Sequence, residues 1–402
     1  MSYDVAALRA QFPALDAGIA HFDGPGGTQA PRAVGEAIAA TLNAPLSNRG
    51  DVGSSERNAD DAVSEFRSAY ADFLGASERG VVYGRSATQL SYDFSRHLAK
   101  GWKQGDEVVV SRLDHDSNVR PWIRAAERAG ATVRWIEFDN DTAEINPASL
   151  DAAIADRTRL VAITAASNLL GTKPDVRGIS DRAHAVGALV YVDGVHYAAH
   201  ELVDIAALGA DLFMCSPYKF LGPHCGVLAG APELLETITP DKLSPSTNVV
   251  PERFEFGTLP YEIMAGATAA VDFLSGVAPG TATDRRSQLT ASLHAIDEHE
   301  TRMRERIEAG LTELGATVYS RAKDRTPTLL FSLGAHDMQR AYQALADVDV
   351  LAPAGSFYAE EAFRALGLVD ENAMRVGVAP YTNEDDVDRL LAGLRAFVTS
   401  EK

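Results

Sequence analysis

The chain has 402 residues, 46% of them hydrophobic and 23% charged, the balance of a globular protein with two or three domains. Its 37 Lys and Arg face 56 Asp and Glu, a formal net charge of −19, a sign that opposes binding to nucleic acid or to an anionic membrane. Cys215 and Cys225 cannot form a disulfide framework for a chain of this size. No basic n-region opens the chain and no apolar stretch is long enough to span a bilayer, so the expected location is the cytoplasm.

From about residue 60 to 230 helical and strand patterns alternate, which predicts an α/β domain with a mostly parallel sheet. Gly84-Arg85-Ser86-Ala87-Thr88 opens a helix, and its amides and hydroxyls suit a phosphate at the positive helix end. The apolar run Glu107–Arg112 reads as a strand and leads into Asp114-His115-Asp116-Ser117-Asn118, where an imidazole can stack on a ring or move protons. A helix over Pro121–Gly130, a strand over Leu160–Ala166 and a helix over Gly178–Gly187 follow, each helix ending in a glycine suited to a C-cap. The strand Ala188–Val192 runs into Asp193-Gly194-Val195-His196. An Asp there can hold a pyridinium nitrogen protonated. The strand Asp211–Cys215 delivers Ser216-Pro217-Tyr218-Lys219 and a Gly-rich turn. A lysine at a sheet's C-terminal edge sits where open α/β sheets bind ligands, and desolvation frees its amine for a Schiff base.

Residues 275–287 are small, polar and turn-rich, a linker by composition. An amphipathic helix over Leu289–Leu314 comes next. Strands at Thr328–Leu333 and Met374–Val378 and helices at His336–Ala346 and Glu384–Val398 complete a smaller α+β domain.

Each of these motifs also has a plain structural reading. A lysine after a strand is more often a solvated surface residue, Asp-Gly is a common turn, and Ser86 or His115 can serve as a cap. Four such motifs in this order outweigh the plain readings. His224 is a turn residue with no metal partner in view, and no metal is expected.

Taken together, the motifs resemble the class V aminotransferase family of fold-type-I pyridoxal-5′-phosphate (PLP) enzymes, nearest to its cysteine desulfurase and selenocysteine lyase branch. The similarity runs from His21-Phe22-Asp23 to the end. It rests on Leu113–Trp122 (LDHDSNVRPW), Ser167–Thr172 (SNLLGT), Val192–His196 (VDGVH), Ser216–Gly226 (SPYKFLGPHCG) and Phe254–Thr258 (FEFGT). The resemblance implies a large PLP-binding domain over 21–275, a small domain over 285–402 and an N-terminal segment 1–20 packed on the small domain. By the same resemblance Lys219 forms the Schiff base and shuttles protons, Asp193 pairs with the pyridine nitrogen and His115 stacks on the ring. Asn168 lies near the ring hydroxyl, His196 binds the cofactor ring, and Ser86, the Ala87 amide, Ser216 and Tyr218 hold the phosphate. Thr258 reaches the phosphate of a neighbouring subunit in a homodimer. Arg375 clamps the α-carboxylate of an amino-acid substrate, with Asp23 close by.

The departures bear on the reaction. His196 stands where the family usually has Gln, and Tyr218 where it has His, the latter reminiscent of kynureninases. The loop Ala352–Ala359 (APAGSFYA) carries Ser356, Phe357 and Tyr358 where a desulfurase has its persulfide cysteine, and no cysteine follows Cys225. The expected activity is therefore a PLP-dependent lyase acting on an amino acid, with C–S cleavage as one form. The alternatives are an aminotransferase or racemase of the same group, a true desulfurase using Cys225, and an inactive binding protein.

Overall fold

The structure is a computed structural model that describes residues 3–368 and 372–401. Parts of the expected N-terminal and C-terminal ranges, residues 1–2, 369–371 and 402, lie outside the described residues.

Seven strands form the central sheet, in the spatial order Val81–Gly84, Gly226–Gly230, Leu212–Cys215, Leu189–Asp193, Thr158–Thr164, Glu107–Ser111 and Thr132–Ile136. Only Gly226–Gly230 runs against its neighbours; the other pairings are parallel. Alternation along each strand sends successive residues to opposite faces. Val161, Ile163, Val190, Val192 and Phe213 enter one core with the helices Ser54–Leu74 and Tyr261–Ser275. Leu160, Ala162, Tyr191 and Met214 enter another with Trp122 and the helix Ala87–Ala99. Both faces are covered, which explains why the strands read as unbroken apolar runs.

Helix ends follow local chemistry. The helix Arg120–Ala129 stops at Gly130, whose φ of 69° is left-handed and costs a glycine little. The helix Val176–Ala185 starts two residues earlier than its sequence pattern indicates, because the Asp175 side chain accepts the Gly178 amide.

The second unit is a three-stranded antiparallel sheet of Thr317–Val318, Thr328–Ser332 and Met374–Gly377. Its core contains Ile307, Leu311, Phe331, Val376, Leu390 and Leu394. Ala20 and Phe22 belong to this core, and Ala20–His21 pairs in parallel with Val350–Leu351. The first residues touch both units. Phe12 and Leu15 pack into the large core, whereas Arg9 pairs with Asp386 at 2.6 Å.

The stretch 275–287 is connecting chain only over residues 276–284. The helix Arg285–Glu313 begins with Asp284 accepting the Ser287 amide, so Arg285, Arg286 and Ser287 are helical. Its 29 residues bridge the two units: Leu289, Leu293 and Ile296 lie in the large core, and Met303, Ile307 and Leu311 in the small one. Among the described residues, no helix is long and apolar enough to cross a membrane.

Candidate active site

The C-terminal ends of the parallel strands converge on one cavity, lined by Ser86, Ala87, His115, Asn168, Asp193, His196, Ser216, Tyr218 and Lys219 among others. Nine predicted positions meet there. At one end Ser86 caps the helix Ala87–Ala99, its hydroxyl accepting the Gln89 amide at 3.1 Å. The free amides of the first turn point toward an anion site. Gly226 makes this approach possible, since a Cβ there would lie 2.5 Å from the Ser86 carbonyl carbon and 2.7 Å from the Ala87 nitrogen.

Asp193 closes the strand Leu189–Asp193, and its Oδ1 accepts the Val195 amide at 2.9 Å. The carboxyl is fully buried and burial pushes its pKa up to about 6. His115 Nδ1 accepts the Ser117 amide at 3.0 Å, which places the proton of the neutral ring on Nε2. Burial, with Lys219 and Arg375 nearby, pushes this imidazole down to about 4. Lys219 sits in a tight turn after Leu212–Cys215, donates to the Pro25 carbonyl and lies 4.9 Å from the Tyr218 ring centroid. Burial first, and Arg375 second, lower its pKa to about 7, so much of the amine is free near neutrality. Tyr218 stacks on His224 at 4.8 Å and 10°.

A second wall comes from the small unit. Arg375, on the strand Met374–Gly377, donates from Nη1 to the Asn168 carbonyl at 2.9 Å, and its guanidinium carbon lies 3.8 Å from the Phe357 ring centroid. Burial pushes its pKa down to about 9, opposed by Asp23. Asn168 Nδ2 donates to the Phe357 carbonyl at 2.9 Å while its Oδ1 is buried without a partner. Phe357, Tyr358 and Arg375 line an outer cavity of ≈ 580 Å³ that also reaches His115, Asn168, Tyr218 and Lys219.

His196 is held from behind. Its Nε2 meets the hydroxyls of Thr326 at 2.8 Å and Thr328 at 3.0 Å, and its Nδ1 is buried without a partner. Neither threonine stood out in the sequence, where a small-domain strand next to the large-domain sheet leaves no local signal. Thr164, Ser117 and Thr88 also line the cavity; Thr88 and Ser117 stand in the quoted motifs but were given no role there. Asp23 lines neither cavity and lies beside His21 at 3.4 Å. Thr258 lies apart, in a cleft with Arg85, Phe254 and Phe256.

These groups fit pyridoxal phosphate. Capping amides and hydroxyls suit the phosphate, the buried Asp193 carboxyl suits a pyridinium, and the low-pKa Lys219 amine suits the aldehyde. Asn168 Oδ1 and His196 Nδ1, both buried and unpartnered on this cavity, are polar atoms in need of a ligand.

Comparison with known proteins agrees. The family model for class-V aminotransferases matches residues 20–390. An uncharacterized protein of Mycobacterium tuberculosis is 30% identical over 400 residues, covering 99% of this chain and 100% of its own. A cysteine desulfurase of Dickeya dadantii is 30% identical over 348 residues, covering 83% of this chain and 80% of its own. The cysteine desulfurase CsdA of Escherichia coli superposes with a TM-score of 0.85 at 25% identity, covering 100% of both chains. The α/β fold with a mostly parallel central sheet agrees with that family, whose cofactor is pyridoxal phosphate. The chain is a pyridoxal-phosphate-dependent enzyme and belongs to the class-V aminotransferase family, related to the cysteine desulfurases.

Proposed function

We propose that this enzyme is a lyase that removes a substituent, a sulfur group among the candidates, from the side chain of an amino acid without a protein-bound persulfide. The observation that carries this reading is the loop facing Lys219, where Phe357 and Tyr358 line the outer cavity and no thiol does. Cys215 and Cys225 are both buried, and burial raises both thiols well above their ordinary range, the reverse of an activated nucleophile.

Pyridoxal phosphate, when bound, supplies the electron sink that acidifies the substrate Cα–H bond. The chain's own groups do the rest. Arg375 offers a planar fork to the α-carboxylate, and Phe357 fixes that fork from one face. Lys219, with its pKa lowered to about 7, takes the α-proton on Nζ. The Asp193 carboxylate holds positive charge at the ring nitrogen, and His115 covers the ring with a neutral imidazole. Ser86, the Ala87 amide, Ser216 and Tyr218 would hold the phosphate, and Asn168 and His196 would serve the ring with their unpartnered Oδ1 and Nδ1. In a homodimer Thr258 serves the partner's site, a reading supported by its place in a separate cleft beside the part-exposed Phe256. A cytoplasmic location agrees with the free thiols.

The test is a visible absorbance spectrum of the loaded protein and of Lys219→Ala, followed by a panel of β- and γ-substituted amino acids. The expected result is a band lost in the variant, with keto acid and the released substituent as products of the wild type. Cofactor capture by the apo protein should slow about tenfold per pH unit below pH 7 and level off above it, since only the free amine attacks an aldehyde. Appearance of a pyridoxamine form instead would move the assignment to transamination. A trapped persulfide that disappears in Cys225→Ala would move it to desulfuration.

A further inference from the structure

Phe357 and Tyr358 are consecutive non-glycine residues with φ of 53° and 59°. Two L-residues in this region cost on the order of 1–2 kcal/mol each, and such strain persists only where the surroundings fix it. They are fixed here. The Asp116 amide donates to the Tyr358 carbonyl at 2.7 Å, Asn168 Nδ2 donates to the Phe357 carbonyl at 2.9 Å, and Ser356 Oγ donates to Glu360 at 3.0 Å. The outcome is a division of labour within one dipeptide. The Phe357 ring turns inward under Arg375, and the Tyr358 ring turns outward, 5.5 Å from the His115 ring. Tyr358 is 74% exposed at the mouth of the cavity that contains Lys219 and Arg375, and its hydroxyl makes no hydrogen bond among the described residues.

We propose that Tyr358 is a catalytic residue that donates its phenolic proton to the group leaving the substrate side chain. The argument is one of position. With the carboxylate on Arg375 and the α-proton facing Lys219, the side chain extends toward the open part of the cavity, where Tyr358 Oη is an uncommitted donor. Tyr218 also touches both cavities, but its ring is occupied between Lys219 and His224. The inference rests on the lyase reading. In the step, the Cα–H bond breaks and its proton goes to Lys219 Nζ, while its electron pair becomes the Cα=Cβ bond. The Cβ–X bond breaks, X departs with the bonding pair of that Cβ–X bond, and the Tyr358 proton joins X. Water returns a proton to the phenolate and hydrolyses the released enamine to keto acid and ammonia.

Tyr358→Phe keeps the ring and the backbone, so it separates the hydroxyl from the fold. Three quantities are measured in wild type and variant: calorimetric affinity for alanine, which carries no leaving group; solvent deuterium exchange at Cα; and product release from S-methylcysteine and from β-chloroalanine. Affinity and exchange should stay unchanged. Release from S-methylcysteine should fall roughly 10²–10⁴-fold, and release from β-chloroalanine should persist because chloride leaves without a proton. Equal release from S-methylcysteine by both proteins overturns the proposal and leaves the lyase reading standing. So does the same leaving-group pattern in Tyr218→Phe, or in Tyr92→Phe at the further tyrosine that lines the outer cavity, but not in Tyr358→Phe. A wild type that exchanges Cα–H yet eliminates from neither compound sinks the lyase reading and Tyr358 with it.

Discussion

The two walls of the cavity are built in opposite ways. The wall from the large domain consists of strand ends and the short turns after them, and three of its polar groups are each steadied by a backbone amide two or three residues away. Ser86 takes the Gln89 amide, His115 the Ser117 amide and Asp193 the Val195 amide. The wall from the small domain depends on distant partners. Arg375 reaches the Asn168 carbonyl, Thr326 and Thr328 reach His196, and Phe357 and Tyr358 adopt left-handed backbone. The locally steadied wall presents groups suited to a fixed cofactor, and the wall built across the domain boundary presents groups suited to a variable substrate.

Three experiments sharpen or break this contrast. The largest effect is expected from the small-domain wall. Arg375→Ala should raise KM by about 30- to 1,000-fold, the equivalent of about 2–4 kcal/mol for removing a buried charged partner. Absorbance of the loaded enzyme should stay near that of the wild type. A lost band with an unchanged KM would place Arg375 with the cofactor and erase the division.

A smaller effect belongs to the large-domain wall. The Asp193 pKa in the fold, about 6, lies above its ordinary value. A carboxyl so shifted contributes stability below about pH 4 that is lost as pH rises through 6. Apo Asp193→Asn should therefore gain on apo wild type between those pH values, by about 3 kcal/mol at neutral pH. Loading with pyridoxal phosphate should reverse the order, because the ring nitrogen gives the carboxylate its counter-charge. Urea unfolding of both proteins at pH 4 and pH 8 checks this. Parallel behaviour at the two pH values would mean that Asp193 is already neutralised by another group.

The smallest effect tests the strained dipeptide. Asparagine tolerates left-handed backbone better than tyrosine, and the Tyr358 ring is mostly exposed. Tyr358→Asn should gain about 0.5–1 kcal/mol in thermal or urea unfolding while losing the proposed lyase activity. A loss of stability would show that the ring packs more than it strains.

Much of the large domain was legible because its signals are local. Unbroken apolar runs between glycine stops and the residues just after each strand all lie within short windows, and the strand Leu212–Cys215 followed by Lys219 is one of them. Helix starts were less legible. Asp175 and Asp284 cap their helices ahead of the apolar pattern, so the helices begin before that pattern does.

The small-domain wall was legible only in part. Arg375 and the loop Ala352–Ala359 entered through family resemblance, and neither Thr326 nor Thr328 was given a place in the site. The sequence by itself determined the sheet, the order of the cofactor motifs and the absence of a thiol from the loop, since each of these is written in neighbouring residues. Only the tertiary structure decided that His196 is held by two threonines 130 and 132 residues away, and that Phe357 turns toward Arg375 while Tyr358 turns outward. Contacts between residues so far apart depend on how one domain closes on the other, and no local pattern encodes that closure.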